Sequence, residues 1–381
     1  MSVLREGWNR AIAPYREDDG ALFRWLRLDP WLLFALLLLL GVSVAAVFSA
    51  SHQSMAQLAN LGMRIGLGVM LMLIMARIPP RIYQYWSPWL FGLGLGLLLA
   101  VELFGHVGKG AQRWLDLGFI RFQPSEMMKL AVPMMAAWYL AQRPLPPRPL
   151  DVVVTLVLVL VPMGLIMLQP DLGTSLLVGA AGIFVLLLAG LSWRYIAGGG
   201  LALAAIIPLM WNFGLHDYQK QRVLTLLNPE ADPLGTGYHI IQSKIAIGSG
   251  GVFGKGWLNS TQSGLDFLPE GHTDFIFAVF SEEFGLIGVV LLMLLYLFII
   301  LRGLVIAVRA PTVYARLLAG SLSLSFFVYV FVNTGMVTGL LPVVGVPLPL
   351  VSYGGTAMVT LMAGFGMLMS IHSHRPFLAA R

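Results

Sequence analysis

The pattern along this chain is a succession of long apolar runs, each roughly 20 residues and each bounded by charge, proline or glycine. Ten such runs lie near 31–50, 61–78, 86–105, 124–142, 152–169, 174–190, 194–212, 275–302, 313–338 and 352–372. The region 152–212 packs three of them between very short turns, and the run 124–142 carries Glu126 and Lys129. The pattern predicts an all-α integral membrane protein with about ten transmembrane helices. One long polar stretch, about 213–274, interrupts it before the eighth helix. That stretch contains a helix-like segment, His239-Ile-Ile-Gln-Ser-Lys-Ile-Ala-Ile247, and enough aromatic and aliphatic residues (Tyr238, Trp257, Leu265, Phe267) to argue against disorder. The expected organisation is a tail over 1–30, a membrane domain over 31–372 and a second tail over 373–381.

Composition agrees. Of 381 residues, 58% are hydrophobic and 11% charged, with a mean hydropathy of +0.81. Soluble domains carry roughly 25% charged residues. Length alone would suggest two or three soluble domains, but one continuous bundle fits better. Residues 1–30 are polar and mixed in charge, and the run that follows is long enough to span, so it is expected to be a retained helix rather than a cleaved signal. The absence of cysteine excludes disulfides, thiolate metal sites and cysteine nucleophiles.

The net charge of +6 reflects orientation rather than nucleic-acid binding. With both termini cytoplasmic, fifteen of the 24 Lys and Arg fall in the N-terminal tail, inner loops and C-terminal tail. Positive residues in short loops favour the cytoplasmic side. All five Lys (Lys109, Lys129, Lys220, Lys244 and Lys255) then fall outside, as do His52, His106, His216, His239 and His272. Chemistry is therefore sought on the outer face.

Asp274, in Leu268-Pro-Glu-Gly-His-Thr-Asp-Phe-Ile-Phe277, sits where the long loop enters a span. Partial desolvation there would make it a better proton acceptor. The plainer reading is a helix N-cap at Thr273 or Asp274. Glu282 and Glu283, two turns further on, either line a polar cavity or pair with bases. Glu126 and Lys129 share a helix face after Pro124. They form either a self-neutralising pair or a phosphate-binding site. Asp171, in Gln169-Pro-Asp-Leu-Gly-Thr174, reads most simply as a helix cap. Arg113 and Arg222 can clamp a pyrophosphate or anchor at the interface.

Gly248-Ser-Gly-Gly-Val-Phe-Gly-Lys-Gly256 lacks the spacing of a nucleotide phosphate loop, and no zinc-protease or EF-hand pattern occurs. No nucleotide or organic cofactor is expected. Gly339-Leu-Leu-Pro-Val-Val-Gly-Val-Pro-Leu-Pro-Leu-Val-Ser-Tyr-Gly-Gly355 holds three prolines and four glycines and cannot be regular helix. At membrane depth such backbone must be buried in protein or line a cavity, which predicts a re-entrant loop closing the outer cavity.

Five collinear segments resemble the SEDS family (shape, elongation, division and sporulation). They are Gly110-Ala-Gln-Arg-Trp-Leu115 with Gln123-Pro-Ser-Glu126, Gln169 to Thr174, Tyr238 to Gly248, His272 to Ala278 with Glu282-Glu283, and Leu341 to Gly355. The resemblance covers nearly all of the chain past residue 28. Val343-Val-Gly-Val346 before Pro347 is nearer the elongation branch than the division branch. The resemblance implies a ten-helix peptidoglycan glycosyltransferase polymerising lipid II on the outer face of the bacterial cytoplasmic membrane. It implies Asp274 as the catalytic carboxylate, with Glu126, Lys129 and Asp171 lining the cavity. Lys244 and Glu283, within the same motifs, join Arg113 and Arg222 as substrate-binding candidates. Implied partners are lipid II and the growing strand, a class B penicillin-binding protein transpeptidase, and the elongasome proteins MreB, MreC and MreD.

The chemistry is consistent. Asp274 can deprotonate the acceptor 4-hydroxyl, and undecaprenyl pyrophosphate is a good leaving group needing only cationic stabilisation. Lys129, Arg113, Arg222 or a divalent cation such as magnesium or manganese can supply it. Two rivals stand beside this reading: a lipid-linked-sugar flippase or transporter, and a non-catalytic scaffold for the transpeptidase.

Overall fold

The computed structural model describes residues 28–108, 111–116, 121–214, 220–221, 224–226, 228, 236–265, 267–268 and 271–374. Ten long helices match the ten apolar runs. They are α1 (Pro30–Ala50), α2 (Met55–Arg77), α3 (Pro80–Phe104), α4 (Pro124–Ala141), α5 (Pro149–Leu168), α6 (Leu172–Leu188), α7 (Trp193–Leu209), α10 (Ile276–Val308), α11 (Val313–Val337) and α12 (Thr356–Ser373). Within the long loop lie α8 (Thr236–Ser249) and the single turn α9 (Thr261–Gly264). Proline opens α1, α3, α4 and α5, where its missing N–H removes no intrahelical bond.

Among the described residues, eight helices are long and apolar enough to cross a membrane. The two outside that set are α6, with 17 residues, and α4, which carries Glu126 and Lys129. The polarity of α4 follows from its place: it packs against α3, α5, α6, α11 and α12, so its ionic groups face protein rather than lipid.

Three features depart from the sequence expectation. A three-stranded antiparallel sheet joins α3 to α4, formed by β1 (His106–Gly108), β2 (Ala111–Asp116) and β3 (Arg121–Phe122). Strands this short are invisible to a search for span-length runs. The last helix begins at Thr356, not near 352, because residues 339–355 take the irregular path their prolines and glycines impose. Finally, α10 is broken at Gly285, whose φ of 64° is left-handed.

The break has a built partner. The glycine-rich segment after α8 lays its backbone along α10: Lys255 N–H donates to Glu282 O (3.0 Å), Gly256 N–H to Glu283 O (3.0 Å), and Leu286 N–H to Gly251 O (3.0 Å). These bonds occupy groups that the interrupted helix leaves open. A Cβ at Gly254 (φ 78°) would collide with the Glu283 carbonyl, so glycine is required at this crossing.

At the end of α10 remote from residue 274, Asp29 caps α1 through Trp31 N–H (3.1 Å) and Leu32 N–H (3.2 Å). Its other oxygen accepts from Arg302 Nε (2.8 Å) and Nη2 (2.8 Å), with His372 Nε2 at 3.8 Å. All three side chains are buried, so α1, α10 and α12 are tied at one ionic knot.

Candidate active site

Asp274 lies in the turn that enters α10 and is half-buried. The N-cap of α10 is Phe275, with no side-chain cap bond. Thr273 and Asp274, the residues first expected as caps, stand in the turn directly before it. The re-entrant loop lies over this turn. Gly345 adopts a φ of 73°, and a Cβ built there would stand 3.5 Å from Asp274 Oδ2. Tyr353 N–H donates to His272 O at 3.0 Å, and the two rings sit 5.9 Å apart. Asn333, on α11, donates through Nδ2 both to Asp274 O (2.9 Å) and to Val346 O (2.7 Å).

Arg64 on α2 places its guanidinium 4.2 Å from the centre of the Tyr353 ring. A guanidinium in a span is costly unless it faces a polar cavity or a partner, and stacking on a tyrosine beside the His272 turn is such a place.

The second group of predicted residues forms a neighbouring wall. Lys129 Nζ and Glu126 Oε1 are 2.6 Å apart, both largely buried. The ammonium also lies 5.1 Å from the centre of the Tyr329 ring, while Glu126 Oε2 has no hydrogen-bond partner among the described residues. Asp171 caps α6 through Thr174 N–H (3.2 Å), as the simplest reading expected, and its other oxygen accepts from Gln123 Nε2 at 3.1 Å. Arg113 donates through Nε to Gln169 O (3.1 Å) and through Nη2 to Pro170 O. It thereby fixes the turn that carries Asp171. The α6 start also touches the re-entrant loop: a Cβ at Gly173 would meet Val344 O and Val346 Cγ2, both at 2.9 Å. The loop therefore bridges Asp274 and the Asp171 turn. Below Lys129 and Tyr329 opens a small cavity with largely apolar walls, including Leu177, Phe326, Phe365 and Leu368.

Lys244 is exposed on α8 and runs along the other end of the loop; a Cβ at Gly339 would come 2.8 Å from its Nζ. Glu282 and Glu283 answer to the glycine-rich segment. Glu282 accepts from Lys255 Nζ (2.6 Å), Ser260 Oγ (2.6 Å) and Thr261 Oγ1 (2.6 Å). Glu283 Oε1 accepts from Ser49 Oγ and from Leu258 N–H (3.2 Å). Of the two earlier alternatives for this acidic pair, Glu282 follows the second: it pairs with a base. Arg222 lies outside the described residues, as do 1–27 and 375–381 of the tails. Among the described residues, no three His, Asp or Glu side chains gather as a metal set, so no chemical step is assigned to an ion.

Sequence reasoning passed over Arg64, Tyr329, Tyr353 and Asn333. Arg64 and Asn333 carried a signal, each being a strongly polar residue inside an apolar run. The two tyrosines had none apart from Tyr353's place in the re-entrant motif.

A helical membrane bundle with a carboxylate under a re-entrant loop defines a class. A family model described as cell cycle protein, covering FtsW, RodA and SpoVE, matches residues 22–376, and the chain belongs to that family. Among its relatives is the peptidoglycan glycosyltransferase MrdB of Escherichia coli K12, 56% identical over 354 residues, 93% of this chain and 96% of that protein. The probable peptidoglycan glycosyltransferase FtsW of Geobacter metallireducens is 34% identical over 361 residues, 91% of this chain and 94% of that protein. Two of the solved structures that match illustrate the shared fold. One is the rod shape determining protein RodA of Thermus thermophilus (TM-score 0.69, 30% identity, 91% of this chain and 97% of that chain). The other comes from work on structural coordination of polymerization and crosslinking by a peptidoglycan synthase complex (TM-score 0.78, 32% identity, 91% and 97%). The expected likeness to the elongation branch, RodA, agrees with the higher identity to MrdB.

Proposed function

We propose that this membrane protein is a peptidoglycan glycosyltransferase that polymerises lipid II into glycan strands during cell elongation, with Asp274 as its general base. The carrying observation is the half-buried carboxylate of Asp274 beneath Gly345, at the mouth of a span rather than in open loop. The names of the relatives support the reaction class.

In this reading Asp274 takes the proton from the acceptor sugar's 4-hydroxyl. The oxygen attacks the anomeric carbon of the donor with inversion. The bond from that carbon to the phosphate oxygen breaks, and undecaprenyl pyrophosphate leaves with the electron pair. Arg64, whose guanidinium takes part in no ion pair among the described residues, is a cation well disposed to the departing pyrophosphate. Lys129 faces Glu126 and is partly neutralised, and Arg113 already donates to two carbonyls. Lys244 and Arg222 complete the cationic set. The small cavity below Lys129 is walled by apolar side chains, as the first carbons of a prenyl chain require.

The distribution of Lys and Arg favours cytoplasmic termini and a periplasmic Asp274. A class B penicillin-binding protein is the proposed partner, since a similar chain comes from a synthase complex that couples polymerization and crosslinking. MreB, MreC and MreD are its proposed elongasome neighbours, and a magnesium or manganese ion held by the pyrophosphate is a proposed cofactor. The test is glycan polymerisation by purified protein with lipid II. General-base catalysis contributes typically about 10²–10⁴-fold, so Asp274→Ala is expected to lose at least about 100-fold. Near-normal rate and product length from that variant would remove Asp274 from the mechanism.

A further inference from the structure

Asn333 is fully buried on α11, in a run otherwise dominated by apolar and small residues. Its Nδ2 donates to two main-chain carbonyls on different segments: Asp274 O at 2.9 Å and Val346 O at 2.7 Å. Both acceptors fix the amide orientation, with nitrogen toward the carbonyls. The remaining oxygen, Oδ1, has no hydrogen-bond partner among the described residues. A buried, unpartnered acceptor is unfavourable, so packing preference does not explain an amide here. An apolar side chain of similar volume would avoid that cost but would leave both carbonyls unbridged.

The two carbonyls belong to the segments whose relative position defines the site. One is the main chain of the carboxylate residue itself. The other follows Gly345, whose Cα faces Asp274 Oδ2. Neither segment is regular helix at this point, so no ladder of helical bonds sets their spacing. We infer that Asn333 is a positioning residue for the transfer reaction: its single amide nitrogen holds the Asp274 turn and the re-entrant loop in register, and so fixes the carboxylate against the acceptor sugar. This rests on the reading of Asp274 as general base. Misplacement of a reacting group by about 1 Å can cost about 100-fold in rate, so a residue that never touches substrate can act strongly on turnover.

A purely structural bond to the same loop supplies the comparison. Tyr296, on α10, donates to Pro349 O at 2.7 Å and is equally buried. Tyr296→Phe removes one loop bond without loosening the Asp274 turn. The experiment measures lipid II polymerisation by full-length purified Asn333→Ala, Tyr296→Phe and Asp274→Ala, with melting temperature recorded for each. Asn333→Ala is expected to lose at least about tenfold in kcat, with KM for lipid II within about twofold of wild type. Tyr296→Phe is expected to keep kcat within about twofold at a comparable loss of melting temperature. The double variant Asn333→Ala/Asp274→Ala is expected to be no slower than Asp274→Ala alone, because the amide acts through that carboxylate. Should Asn333→Ala fail to accumulate, Asn333→Ser, which keeps one donor in a smaller volume, carries the same comparison. Equal kcat losses in Asn333→Ala and Tyr296→Phe, or a loss confined to KM, would overturn the inference. An active Asp274→Ala would overturn instead the reading on which it rests.

Discussion

The charged residues of the α4 face behave as a unit. Glu126 and Lys129 are 2.6 Å apart with little access to water, and removing one member of such a pair strands the other. Lys129→Met is therefore expected to destabilise the protein by about 3–5 kcal/mol, while Glu126→Gln/Lys129→Met recovers most of that loss. Melting of the purified variants by intrinsic tryptophan fluorescence checks this. If the pair also serves lipid II, the double variant stays slow although stable. These residues were legible in the sequence because ionisable side chains are rare inside an apolar run, where a self-neutralising pair and a phosphate site both fitted them. Asp274 and Asp171 stand at the entries of spans, where a helix cap accounts for either, and the likeness to the SEDS motifs is what singled them out. Tyr329 was not legible, since an aromatic inside a span looks like any lipid-facing or core residue, and only the fold brings its ring to Lys129.

At the scale of elements, the runs located the helices because lipid demands one apolar length per crossing. What they missed lies where backbone geometry outweighs hydropathy. The break in α10 is one such place: the span 275–302 reads as continuous, yet Gly285 turns left-handed and the segment 250–256 docks against it. The resemblance of that segment to a phosphate loop arises from glycine content, and here the glycines serve close backbone contact with α10. Gly285→Ala would place a Cβ against Gly254 and Val252 backbone at an unfavourable φ, and such strain costs on the order of 1–3 kcal/mol. Glu282→Ala removes the acceptor for Lys255, Ser260 and Thr261. It is expected to speed hydrogen exchange across 250–264 while exchange in α11 stays unchanged. Equal acceleration in both would show that the segment is not a separate clamp.

Across the whole molecule, the ionic knot and the candidate active site sit at opposite ends of α10. The path along α10 from residue 276 to residue 302 is roughly 40 Å at 1.5 Å per residue, bent at Gly285. Arg302→Ala leaves Asp29 buried without its cation, and about 3–5 kcal/mol of stability is expected to go with it. Because the knot is remote from Asp274, KM for lipid II is expected to change by less than about twofold, provided the assay runs well below the lowered melting temperature. The knot itself was not legible in the sequence. Asp29 belongs to the polar tail pattern and Arg302 to the charge that marks a cytoplasmic helix end, and only packing of α1 against α10 makes them partners.

The central claim is that the Asp274 carboxylate drives sugar transfer, and its most direct test keeps substrate binding in view. Wild type and Asp274→Ala, matched for folding and reconstituted with lipid II, are compared for polymerisation rate and for lipid II affinity. The account predicts a loss of at least about 100-fold in rate with affinity retained within a few fold. A variant that polymerises at the wild-type rate, or one whose rate loss is matched by an equal loss of lipid II affinity, would contradict it.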